Sequence, residues 1–393
     1  MKVYLDNSAT TRMDDEVLKS MKPYFSDIFG NASSLHSFGR EALAKVDESR
    51  ALLAKLINAK TSEIYITSGG TESDNWALKG AAYAHKKEGM HIISTKIEHP
   101  AVMQTLKALE KDGFSITYLD VDKDGLVSVS DLIDAVRDDT ILVSVMFANN
   151  EIGSIQPIAE IGKFCSEEGI LFHTDAVQAM GSIKVDVKAM NIDMLSLSAH
   201  KFHGPKGVGL LYIKDGVRID RLILGGHQER SYRGGTTNVA GIVGMAKALE
   251  IAVNEMEQNN AYVKKLRDYF IERVLKEIPD CKLNGGMEHR LVSNANISFD
   301  YIEGESILML LDLEGIAVSS GSACSSGSLE PSYVILALGR KMEEAHSSIR
   351  FSFGKDNTME ETEYTIEKLK EVVAKLRSWS PLFKEIKGGT LNV

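Results

Sequence analysis

Lys201 stands in Ser198-Ala-His-Lys-Phe-His-Gly-Pro-Lys-Gly-Val-Gly209, just after an apolar run at 194–197. Asp175 opens Asp175-Ala-Val-Gln178 after a second run, 171–174, and Ser68-Gly-Gly-Thr-Glu-Ser73 follows a third, 64–67, leading into a segment of helical period. Singly these are ordinary: a lysine is by default a solvated charge, an aspartate a helix cap, two glycines a capped turn. Together they offer an amine, a carboxylate and a helix amino terminus whose free N–H groups can seat an anion. One cofactor needs all three. The aldehyde of pyridoxal 5'-phosphate takes a lysine amine as a Schiff base, its ring nitrogen stays protonated beside a carboxylate, and its phosphate needs backbone donors. The glycines do not belong to a nucleotide loop, because neither Gly-Lys-Ser/Thr at the required spacing nor G-x-G-x-x-G accompanies them.

Other strand-end residues extend the set. An imidazole in Glu98-His99-Pro100 is placed to lie over the ring, and the amides of Asn149-Asn-Glu-Ile-Gly153 to bond the ring oxygen or the substrate. Arg350, in Ser347-Ser-Ile-Arg-Phe-Ser-Phe353, is the guanidinium that an amino-acid carboxylate would need. Of the three cysteines, Cys165 falls inside a helical period and Cys281 heads an apolar strand, as inert buried thiols do. Cys324 stands among serines and glycines, in a run that suits a thiol that must move. Asp120-Val-Asp-Lys-Asp-Gly125 with Asp131 mimics an EF-hand loop, but a strand pattern precedes it and the twelfth position is Asp, so a polar turn is the better account. His200 and His203 lack partners at zinc spacing.

The elements that must position these groups alternate. Runs at 64–67, 91–94, 116–119, 141–146, 171–174 and 194–197 read as strands, and 72–87, 101–111 and 158–167 as helices. That rhythm predicts an α/β fold, a mostly parallel sheet covered by helices, with ligands beyond the carboxyl ends of its strands. A further strand at 207–213 precedes a long helical stretch from 239, interrupted near Asn259-Asn260 and resuming toward 276. A smaller α+β domain follows, with strands at 296–299 and 316–319, a helix at 305–313, and a last helix to about 379 opened by Thr358 and Glu361. The division expected is 15–258 for the large domain, and 1–14 with 259–393 for the small one carrying Cys324.

Composition bounds the rest. Across 393 residues a net charge of −10 disfavours nucleic acid and anionic lipid as partners, and 44% hydrophobic with 25% charged residues is globular usage. An odd cysteine count and no long apolar stretch point to a cytoplasmic protein.

The chain resembles, over almost its whole length, the cysteine desulfurases of the NifS/IscS type, in the class V aminotransferase group of fold-type I pyridoxal-phosphate enzymes. The resemblance rests on Tyr4-Leu-Asp-Asn-Ser-Ala-Thr-Thr11, Gly30-Asn31, Thr67 to Ser73, Glu98-His99, Asn149 to Gly153, Asp175 to Gln178, Ser198 to Lys206 and Arg233-Gly-Gly-Thr236. Most specific is Ser320-Gly-Ser-Ala-Cys-Ser-Ser-Gly-Ser-Leu-Glu-Pro331. Gly70 stands where the family often has Ala, and His227 where it commonly has Gly. The resemblance implies that Lys201 carries the cofactor, Asp175 meets the ring nitrogen, Gln178 the ring oxygen and His99 the ring face. Gly70, Thr71, Ser198 and His200 would hold the phosphate, with Thr236 supplied by the second subunit of a homodimer. Asn31, Asn150 and Arg350 would bind the substrate carboxylate. The implied reaction moves sulfur from L-cysteine onto Cys324 and releases L-alanine; an iron–sulfur scaffold of the IscU/NifU type or another acceptor then takes the sulfur. No resident metal is implied, although Cys324 would contact a transferred cluster. The nearest alternative keeps the cofactor and is an aminotransferase or selenocysteine lyase.

Overall fold

A computed structural model describes residues 1–320 and 330–387. Cys324, with the rest of 321–329, lies outside them, as does the tail after residue 387.

Short apolar runs form the central sheet. Its strands are β2 (Ile64–Thr67), β3 (His91–Thr95), β4 (Ser115–Leu119), β5 (Thr140–Ser144), β6 (Leu171–Asp175), β7 (Met194–Ser198) and β8 (Gly209–Ile213), where β1 is the amino-terminal Val3–Tyr4. The order is β2-β8-β7-β6-β5-β3-β4. β3 to β7 run parallel, and β8 lies antiparallel between β2 and β7. β3, β7 and β8 are buried along their whole length, as expected of strands covered on both faces, and the polar residues of β3 and β7 are buried with them. Helices Gly70–His85 and Pro100–Lys111 share one apolar cluster with the sheet. Ser37–Leu56, Ile158–Glu168 and Val239–Asn254 share another, so both faces are covered.

The second body is a sheet of order β12-β13-β10-β9, from β9 (Cys281–Leu283), β10 (Asn294–Phe299), β12 (Ser319–Ser320) and β13 (Ser348–Ser352). Helices Met256–Glu277, Gly304–Leu313 and Met359–Trp379 pack on it, with Phe270 4.7 Å from Phe351 and 5.4 Å from Phe353 between ring centroids. Thr358 and Glu361 make the expected reciprocal cap: Thr358 Oγ1 accepts from Glu361 N, and the Glu361 carboxylate from Thr358 N.

Two expectations change in detail. The run 316–319 is two strands in different sheets, because β11 (Ile316–Ala317) pairs in parallel with β1 while β12 pairs with β13. The long helical stretch breaks at Glu255 and not at Asn259-Asn260. The Asn260 amide donates outward to Ser182 O at 2.7 Å instead of competing for its own backbone. In the mimic of an EF-hand, Asp122 Oδ1 accepts the N–H groups of Asp124 and Leu126, both at 2.9 Å, as a tight turn. No helix among the described residues is long and apolar enough to cross a membrane.

Candidate active site

The ends of β2, β6 and β7 and the loops after β3 and β5 open on one cleft of about 360 Å³, within the usual size of small-molecule sites. At its floor the chain turns from β2 into helix Gly70–His85 through Gly69, whose φ of 154° is one that side chains rarely allow. A Cβ on Gly209 would lie 2.6 Å from Gly69 Cα, so β8 approaches this turn backbone to backbone. Gly70 and Thr71 begin the helix with free N–H groups, Ser198 closes β7 beside them, and His200 follows in the turn Ala199–Lys201. Burial first, then Lys201 and Lys206, lower His200 to about 4, so its ring is a neutral hydrogen-bonding group. Glu72, in the first turn, is gripped by Arg233 at 2.8 and 2.9 Å, which ties the segment carrying Thr236 to the same helix.

Above the seat lies a buried acid pair. Asp175 ends β6 with Oδ1 accepting from Val177 N at 2.9 Å, and burial raises its pKa while His99 and Lys201 pull the other way. Asp74, one turn into the helix from Gly70, is fully buried; burial and the Asp175 charge raise it far above an ordinary carboxyl. Its 3.7 Å contact with His173 is between neutral groups, because burial lowers that imidazole to about 3. Asp74, His99 and Asp175 bring one polar atom each within 4.8 Å of one another, a cluster that holds a proton rather than two free carboxylates for a cation. His99 caps helix Pro100–Lys111, its Nδ1 accepting from Ala101 N at 3.1 Å. Burial lowers its pKa, so the neutral ring carries its proton on Nε2.

The amine comes from the other side. Lys201 Nζ donates to the carbonyls of Ser8 at 2.5 Å and Ala9 at 2.8 Å, and Gln178 Nε2 donates to Ser8 O at 2.9 Å. Arg350, in β13 and 1% exposed, spans three parts of the chain: one terminal nitrogen donates to Asn150 O at 2.9 Å, the other to Asp6 Oδ1 at 2.8 Å. Among the described residues two buried polar atoms of this region, Arg350 Nε and Asp74 Oδ1, have no hydrogen-bond partner.

The cleft thus brings together Gly70, Thr71, His99, Asn150, Asp175, Gln178, Ser198, His200, Lys201 and Arg350. It does not bring in Asn31, an exposed residue whose Oδ1 accepts from Ser33 N at 2.9 Å in its own turn. Thr236 is exposed and stays outside the lining. Sequence reasoning missed Asp74, Ser8, Ala9 and Asp6. Asp6, Ser8 and Ala9 lie in the motif Tyr4 to Thr11 but were given no role, because they act through backbone carbonyls or a contact across 344 positions; Asp74 was signalled by its four-residue spacing from Gly70 on one helix face. The donor set fits pyridoxal 5'-phosphate: an amine, a carboxylate, an imidazole face, a helix amino terminus with two glycines, and partnerless polar atoms at the wall.

The family described as Aminotransferase class-V matches residues 3–365. A cysteine desulfurase IscS of Clostridium botulinum is 54% identical over 385 residues, 98% of this chain and 97% of that one. A solved NifS-like protein superposes with a TM-score of 0.90 at 40% identity, covering 96% of this chain and all of the other. The structure of SspA in complex with cysteine gives 0.80 at 36% identity, over 91% and 100%.

Proposed function

Because the chain belongs to the aminotransferase class-V family, and within it to the pyridoxal-phosphate-dependent cysteine desulfurases, we propose that it takes sulfur from L-cysteine onto Cys324 and releases L-alanine. The observation that supports this most is the meeting of Lys201, Asp175 and the helix start at Gly70 in one cleft. In this reading Lys201 holds the cofactor aldehyde, Asp175 faces the ring nitrogen, Gln178 and Asn150 the ring's polar edge, and His99 its face. Gly70, Thr71, Ser198 and His200 hold the phosphate. When bound, the cofactor supplies an electron sink beside the amino-acid α-carbon.

Lys201, whose amine the Ser8 and Ala9 carbonyls keep in place, would be the base that takes the substrate α-proton and returns it. Arg350 meets the substrate carboxylate through its unpartnered Nε–H with Asn150 beside it, and Asn31, outside the cleft lining, takes no part. The Cys324 thiolate attacks the substrate sulfur; a sulfur–sulfur bond forms as the carbon–sulfur bond breaks, and the pair left on carbon takes a proton to give alanine. We place this chemistry in a cytoplasmic homodimer, divided as 15–258 and 1–14 with 259–393, in which Thr236 of the partner subunit joins the phosphate seat. Its support is the exposure of Thr236 on a segment that also leaves Leu224 79% exposed. An iron–sulfur scaffold of the IscU/NifU type is the proposed acceptor.

The test is borohydride reduction followed by mass spectrometry, with alanine and enzyme-bound persulfide assayed after adding L-cysteine. A pyridoxyl adduct on the Lys201 peptide is expected, with persulfide lost in Cys324→Ala. No adduct on that peptide, or persulfide surviving in the variant, would overturn the assignment.

A further inference from the structure

The described residues that flank the Cys324 segment are tied to the cleft at both ends. On the amino side, β12 pairs with β13 so that Ser319 lies opposite Arg350. On the carboxyl side, Ser332 Oγ donates to Glu151 Oε2 at 2.5 Å, and Tyr333 Oη donates to Glu98 O at 2.5 Å. Glu98 adjoins His99, and Glu151 adjoins Asn150, so both acceptors belong to the strand-end loops that deliver cleft residues. Glu151 is buried yet makes no ion pair among the described residues, and its backbone is fixed separately, its carbonyl accepting from Asn294 and Asn296 at 3.0 Å. Its side chain is thus held in the wall with Ser332 as its hydrogen-bond partner. Just beyond, Val334, Ile335 and Leu338 are buried with Ile97, Met146 and Ile152, which lie in the same two loops.

We propose that Glu151, Ser332 and Tyr333 are positioning residues that fix the carboxyl-side root of the Cys324 segment to the loops bearing His99 and Asn150. The inference rests on the desulfurase reading. A sulfur nucleophile is useful only if it arrives in line with the substrate sulfur, and a misplacement of about 1 Å can cost about a hundredfold in rate. Two roots held on the walls that orient cofactor and substrate confine where the segment can bring its thiol. Loosening one root leaves the cleft, and therefore substrate binding, intact.

The experiment compares the loaded full-length enzyme with Tyr333→Phe, Glu151→Ala and Glu151→Gln. Tyr333→Phe removes one hydroxyl at a partly exposed position, whereas Glu151→Gln keeps an acceptor for Ser332. Cysteine affinity is read from the absorption change on binding, and alanine release from a single turnover. Expected are unchanged affinity, alanine release slowed about tenfold in Tyr333→Phe and Glu151→Ala, and recovery in Glu151→Gln. Hydrogen exchange of residues 330–338, measured without cysteine, should quicken in the two slowed variants. Wild-type alanine release in both, or unchanged exchange in both, overturns the proposal. A wild-type enzyme whose exchange behaves as expected but which releases no alanine overturns the desulfurase reading instead.

Discussion

Around this cleft, burial decides the protonation of the carboxylates more than their neighbours do. Glu98 is the clearest case: it accepts from Thr95 Oγ1 and Met146 N through one oxygen, and burial lifts it from the usual 4.5 to about 8. The folded protein therefore keeps a proton on Glu98 across a range in which the unfolded chain has lost it. More protons are bound folded than unfolded, so this residue's contribution to stability falls as pH rises from about 5 to about 8. Glu98→Gln is neutral throughout and retains the acceptor. Urea unfolding at the two ends of that range should show the variant losing less stability than wild type, by up to about 1.4 kcal/mol per pH unit crossed. Equal losses would mean that Glu98 is ionised in the fold. None of this was legible in the sequence, where Glu98 was simply the neighbour of His99. Lys201 and Asp175 were legible because each lies within four residues of the end of a strand-like run, and a strand end in a parallel sheet has few places to point.

At the scale of elements, the proposed phosphate seat depends on how closely β8 can approach the turn after β2. A Cβ on Gly209 would meet backbone at 2.6 Å twice, at Gly69 Cα and Leu197 O, whereas one on Gly70 would crowd a side-chain methyl, Val177 Cγ2 at 2.7 Å, with Ser198 Cβ at an ordinary 3.8 Å. Gly209→Ala must push two strands apart and should lower both melting temperature and affinity for pyridoxal phosphate, by about tenfold or more in the latter. Gly70→Ala asks only that a methyl group shift and should bind the cofactor nearly as wild type. Equilibrium titration of the apo-proteins distinguishes the two, and equal behaviour would remove Gly209 from the account. Strands and helices were largely readable from periodicity and caps. Pairing was not, because the antiparallel insertion of β8 and the splitting of 316–319 between two sheets depend on partners far away in sequence.

Over the whole molecule, Arg350 joins three parts that are remote along the chain: Asp6 near the amino end, Asn150 after β5 and its own strand β13. Asp6→Ala leaves a buried guanidinium short of its charged partner, a loss worth about 3 kcal/mol. Calorimetry should therefore find a lower melting temperature, and the KM for cysteine should rise because the same guanidinium is the proposed carboxylate partner. A change in stability with KM unaltered would separate Arg350 from substrate binding.

The route of the first nine residues has a consequence for biosynthesis. Ser8 and Ala9 hold the Lys201 amine, yet Leu5 to Ser8 are themselves held by Ala317 and Ser352 through backbone and hydroxyl bonds. An early segment of the nascent chain thus waits for one made more than 300 residues later before it can settle. During synthesis the contacts around the Lys201 amine therefore stay incomplete until residue 352 has been made, and the turn at Ser8 and Ala9 cannot settle before then.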